Sequence, residues 1–140
     1  MLVRAIKTFV LPYTLKMVYH SYFHSVINYR IIFWGISSYS NSIFKLCKRS
    51  IRIIMGVRNR DSCRKFFKIL NILPLISHYI FSLLLFMVNN KNQFQMNSEI
   101  YNMNTSNNSV YYQPLSHLTI YQKGPFYMGI KVHNGLPPEI

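Results

Sequence analysis

Between Lys45 and Lys68 the chain carries Lys45, Lys48, Arg49, Arg52, Arg58, Arg60, Arg64, Lys65 and Lys68 against a single anion, Asp61. Unpaired charges at that density cannot be buried, so any fold must hold them at the surface and draw its core from the apolar residues between them. The spacing predicts a helix over 42–55 that does so. On a helical wheel Ile43, Leu46, Cys47, Ile51, Ile53 and Ile54 occupy one half, while Lys45, Lys48, Arg49 and Arg52 fall within roughly 100° of each other on the other side. A solvated basic face is the ordinary reading of such a helix. Here no acidic residue stands one turn away to compensate the repulsion, which favours phosphate contact.

The same imbalance runs through all 140 residues, with 16 Lys and Arg against 3 Asp and Glu and a formal charge of +13. That charge predicts a polyanionic partner, nucleic acid or an anionic membrane surface. With 50% hydrophobic residues the chain has enough apolar surface for a core. The carboxylates Asp61, Glu99 and Glu139 lie far apart in sequence. Two-metal phosphoryl transfer and glycoside hydrolysis each need converging carboxylates, so neither is expected of these residues. Cys47 and Cys63 read as buried, reduced intracellular thiols rather than a disulfide framework. Pro12 and Lys16 interrupt any apolar run near the N-terminus, so a signal peptide is not expected.

Other elements follow from periodicity. Leu15, Tyr19, Tyr22, Val26, Tyr29 and Phe33 recur every three or four residues, predicting one helix from Pro12 to about Phe33, stopped by Gly35 and Ser37-Ser38. Gly56 closes the 42–55 helix, and Asp61 is placed to cap a short helix carrying Cys63, Phe66, Phe67 and Leu70. Pro74 opens a fourth helix with Ile76, Ile80, Leu83, Leu84 and Met87 inward, ended by Asn89-Asn90. The expected fold is mostly α: a small bundle of about four helices over 1–88, an Asn/Ser-rich linker or loop over 89–110, and an irregular extension over 111–140. That extension holds a candidate short strand at 118–121, a Gly124-Pro125 turn and a short helix over 126–133, with order ending at Pro137-Pro138. Leu70 to Val88 is nearly long enough to cross a bilayer, but Pro74 leaves only about 22 Å of helical rise, so a buried core helix is preferred to an inserted one. His20 and His24 stand at i,i+4, a zinc-compatible spacing without a third ligand, and read as packing histidines. Tyr111, Tyr112, Tyr121 and Tyr127 are candidates for stacking on unpaired bases, with tail packing the plainer account.

A resemblance is carried by Met17-Val18-Tyr19-His20-Ser21-Tyr22-Phe23-His24-Ser25, Asn28-Tyr29-Arg30-Ile31-Ile32-Phe33-Trp34-Gly35, Phe44-Lys45-Leu46 and Ile51-Arg52-Ile53-Ile54. It continues through Arg60-Asp61-Ser62-Cys63-Arg64, Leu70-Asn71-Ile72-Leu73-Pro74-Leu75 and, near the end, Gly129-Ile130-Lys131 with Asn134-Gly135-Leu136-Pro137. In order and spacing over nearly the whole chain, these segments resemble the C-terminal part of the polymerase polyprotein of jockey-type non-LTR retrotransposons, especially arthropod ones. The family usually has Gly where this chain has Arg30. The resemblance implies a thumb and post-thumb region of an RNA-directed DNA polymerase, whose helices cradle a template–primer backbone of RNA or DNA. The catalytic aspartate pair of that family is absent, so Mg²⁺ is expected only on a palm domain that these residues do not include, and that palm is itself an expected partner. No catalytic or metal-binding residue is expected here.

On this reading Lys45, Lys48, Arg49 and Arg52 take phosphates, with Arg58, Arg60, Arg64 and Lys68 as a second row, positioning nucleic acid without reading bases. The expected location is intracellular, nuclear or cytoplasmic. A small basic membrane-associated protein with 70–88 inserted, and a nonfunctional transposon relic, are the alternatives. The polymerase reading has a direct check: the purified chain extends no primer in Mg²⁺ or Mn²⁺, and robust incorporation surviving loss of Asp61 overturns it.

Overall fold

The computed structural model describes residues 12–101 and 109–137. The segment before Pro12, the Asn-rich stretch 102–108 and the stop expected at Pro138 lie outside the described residues. The described residues are mostly helical and form no strand; one isolated antiparallel bridge joins Met96 and Tyr111. The chain divides into two compact units, Met1–His78 and Tyr79–Ile140.

In the first unit α1 (Pro12–Val18) runs through a π-helical turn at Tyr19–His24 into α2 (Ser25–Asn28), and α3 (Ile31–Trp34) follows after a break. Only two of the six residues of the expected stripe face the core. Leu15 and Tyr19 are buried, but Tyr22, Val26, Tyr29 and Phe33 are 64, 71, 68 and 61% exposed, and Ile27 and Ile31 take the inner positions. The π turn is the physical reason. Its i→i+5 bonding spreads each turn over more residues, so the buried face advances in steps of four instead of alternating three and four. Ser21 and Ser25 loosen this stretch by donating their hydroxyls to the carbonyls of Val18 and Ser21.

The single helix expected up to Phe33 also breaks, at Tyr29 (φ −62°, ψ 104°) and Arg30, which sits in the left-handed region at φ 52°, ψ 34°. Trp34 Nε1 donates to the Tyr29 carbonyl at 2.9 Å, satisfying an oxygen that the broken helix leaves free.

α4 (Ser40–Met55) starts two residues before the expected Ser42 and ends at Gly56, φ 70°, where the Val57 N–H reaches back to the Arg52 carbonyl at 3.1 Å. α5 (Arg64–Ile69) ends the same way: Asn71 adopts φ 52° and the Ile72 N–H bonds the Phe67 carbonyl at 2.9 Å. Asp61 does not cap α5. Its carboxylate accepts the Arg58 N–H at 2.9 Å and so closes the Arg58–Asp61 turn, leaving Cys63 at the start of α5. Leu15, Tyr19, Ile51, Ile54, Cys63, Phe67, Leu70 and Ile72 form the core of this unit.

α6 (Leu75–Asn89) ends where Asn89-Asn90 predicts, but its inner face is Leu75, Tyr79, Leu83 and Met87, and Ile76 is exposed. Apolar residues lie nearly all round this helix, so periodicity could not choose the face. In the second unit Met87, Phe94 and Ile130 are buried together, which makes Phe94 a core residue of the segment expected to be linker or loop. α7 (Asn97–Ile100) is a single turn, and α8 (Thr119–Gln122) replaces the strand expected at 118–121. Leu118 and Ile120 are exposed with no partner strand, so a local turn satisfies the backbone instead. α9 (Pro125–Asn134) matches the expected short helix, and the Asn134 amide bonds both the N–H and the carbonyl of Tyr111, at 3.1 and 2.8 Å.

Left-handed backbone costs a side chain with a Cβ about 1–2 kcal/mol, partly offset by the larger unfolded entropy of Gly. Urea unfolding therefore orders position 30 as Gly above Arg above Val: Arg30→Gly gains about 0.5 kcal/mol, and β-branched Arg30→Val loses about 1 kcal/mol. The reverse order would show that the break at Arg30 is not held in solution.

Candidate nucleic-acid interface

Helical periodicity gives α4 three strips of side chains. Phe44, Lys48 and Arg52 run up one flank, Ile43 and Leu46 up the other, and Lys45 and Arg49 are exposed on the ridge between them. The first flank faces α5 across a cavity of about 910 Å³ lined by Phe44, Lys48, Arg52, Ser62, Cys63, Arg64, Phe67, Lys68, Asn71, Ile72, Leu73 and Pro74. Two members of each expected row, Lys48 with Arg52 and Arg64 with Lys68, thus line one cavity. Lys45 and Arg49 stay on the ridge, and Arg58 and Arg60 are exposed in the turn between the helices, outside the cavity lining.

Two contacts hold the cations of the α4 wall. Arg52 Nε donates to the Asp61 carbonyl at 3.0 Å, tying α4 to the turn that leads into α5. Lys48 Nζ lies 4.5 Å from the centroid of the Phe44 ring, which itself tilts against Phe67 at 6.2 Å. A cation above an aromatic face is held electrostatically while its remaining donors stay free. The floor is apolar: Phe67, Cys63 and Ile72 are buried. Charge patterning pointed to the cations but not to this floor, because Leu73 and Pro74 reach the cavity only through the turn at Asn71.

The flank with Ile43 and Leu46 faces a second cavity, about 820 Å³, lined also by Tyr22, Phe23, Val26, Ile27, Tyr29, Arg30, Phe33 and Trp34. Four of the side chains expected to be core from the 3–4 stripe, Tyr22, Val26, Tyr29 and Phe33, therefore line an open aromatic groove. Of the tail tyrosines, Tyr111 packs edge-on to Phe94 and His133, at 5.9 and 4.9 Å, and Tyr112 packs against Tyr101 at 6.0 Å. Tyr127 is half-buried and Tyr121 exposed.

His20 and His24 are joined by a third imidazole that spacing could not reveal. Ring centroids are 5.2 Å apart for His20–His24 and 5.1 Å for His24–His78. His24 Nδ1 pairs with the Asn28 amide at 3.0 Å, while buried His78 Nδ1 has no partner. Among the described residues no group of three His, Cys, Asp or Glu side chains is arranged to hold a metal ion. Burial, and then the neighbouring His24, hold His78 below the usual histidine range; burial, His24 and Lys16 do the same to His20. Burial first, and then Cys47, push the Tyr19 phenol far above its usual range.

Among the described residues no helix is long and apolar enough to cross a membrane, so the inserted-helix alternative for 70–88 has no span to rest on. No protein-family model, curated protein or solved structure matches the chain.

His20 and His78 fix a pH dependence. His20 and His78 are lowered in the folded state, so below the unfolded value near 6.5 the unfolded chain binds more protons. Stability is then full above pH 6.5 and falls as pH drops through the lowered folded values. Thermal unfolding followed by circular dichroism gives a lower midpoint at pH 5 than at pH 7.5, and His78→Gln narrows the difference. A midpoint that rises on acidification would mean the imidazoles are not packed neutral.

Proposed function

We propose that this chain binds nucleic-acid backbone without sequence specificity, as a non-catalytic, thumb-like region of the kind that its resemblance to non-LTR retrotransposon reverse transcriptases implies. The observation that carries the reading is the convergence of Lys48, Arg52, Arg64 and Lys68 on one cavity from two helices. Four cations lining one cavity, with no carboxylate in its lining, repel one another, and a phosphate backbone relieves that repulsion. Their sites are set by helix packing, so they bind the repeating phosphates rather than base edges. Lys45 and Arg49 extend the basic surface over the ridge of α4.

Each phosphate contact adds about 0.9 to the magnitude of the slope of log K against log salt on duplex DNA. Changing Lys48, Arg52, Arg64 and Lys68 together to Gln, which keeps helix propensity, flattens that slope by roughly three to four, equally on two unrelated duplexes. Anisotropy titrations at several salt concentrations measure it, with circular dichroism as the folding control. An unchanged slope in a folded variant removes the cavity from the binding surface.

A further inference from the structure

We infer that the preferred ligand is a single strand rather than a duplex, with the aromatic groove on the far flank of α4 stacking its unpaired bases. This inference rests on the backbone-binding reading and names its substrate class. Tyr22, Tyr29 and Phe33 are each more than half exposed and all line one groove, and a folded chain in water gains nothing from leaving three large rings uncovered. Such rings are the sequence-tolerant platform on which unpaired bases stack, whereas the bases of a duplex are already stacked on each other. Arg30 lines the same groove with its guanidinium 5.3 Å from the centroid of the Tyr29 ring, adding a cation beside the stacking surface.

Continuity with the basic cavity argues for the same occupant. Leu46 lines the groove, Lys45 adjoins it in sequence, and Arg49 stands three residues on, a neighbour on the helix surface. Lys45 and Arg49 in turn adjoin Lys48 and Arg52 of the cavity flank. An unbroken cationic ridge therefore links the aromatic groove to the phosphate-binding wall, and a flexible single strand can cross it with phosphates on the ridge and bases in the groove. A second copy of this chain is a poor occupant, because a +13 molecule repels itself.

The test uses the full chain with two probes, a twelve-nucleotide oligothymidylate and a blunt duplex, in anisotropy titrations at one salt concentration. Tyr29→Ala combined with Phe33→Ala, both at exposed positions, lowers oligothymidylate affinity about tenfold or more and duplex affinity less than twofold. Tyr29→Phe with Phe33→Tyr keeps both rings and restores single-strand binding. Emission of Trp34, the single tryptophan and a groove residue, is quenched by oligothymidylate but not by the duplex. Unchanged oligothymidylate affinity in the double alanine variant, with duplex binding still dependent on the cavity cations, overturns this inference and leaves the backbone reading standing. Binding of neither probe overturns both. Tight binding of an acidic amphipathic helical peptide that oligothymidylate fails to displace assigns the groove to a protein partner and also overturns the inference.

Discussion

The packing of α5 against α4 through Ile51, Ile54, Cys63 and Phe67 is the interaction on which the rest of the first unit depends. It forces Lys48 and Arg52 to share a cavity with Arg64 and Lys68, an arrangement that charge alone opposes. The magnitudes show why burial wins. Fully burying a side chain of the Ile or Phe class contributes about 1.5–3 kcal/mol, whereas two unit charges 4 Å apart in water repel by about 1 kcal/mol. Salt weakens the repulsion further and leaves the burial intact.

The loop between these helices is stiffened without ion pairing. Gly56 takes a left-handed conformation that lets the last carbonyls of α4 find donors, and Asp61 closes the turn that follows through the Arg58 N–H while its carbonyl holds the Arg52 guanidinium. The one carboxylate of the segment is thus spent on backbone geometry. The cations facing the cavity are left with their charge uncompensated by it.

A π turn governs the other flank. By advancing the buried face in steps of four, it places Leu15, Tyr19, Ile27 and Ile31 inside and turns Tyr22, Val26, Tyr29 and Phe33 out. Burial and then the neighbouring Cys47 raise the Tyr19 phenol, and the same turn carries His24 against His78. The π turn and the left-handed break at Arg30 together set the aromatic groove, and the π turn carries His24 into the histidine trio.

The mostly helical class, the ends of α4 at Gly56 and of α6 at Asn89-Asn90, and the cationic strip of α4 were legible in the residues alone, because local periodicity, Gly and Pro chemistry and charge act over one or two turns. The four cavity cations were also among the eight candidates. Which of those eight converge follows from the packing of the helices, since it depends on how α5 docks. The outward aromatic groove was hidden because a π turn leaves no mark in a 3.6-residue pattern. The helical turn at Thr119–Gln122 defied its strand-like sequence because a β-branched run forms a strand only where another strand offers it hydrogen bonds. His78 joined His24 across more than fifty residues, a distance over which side-chain spacing carries no signal.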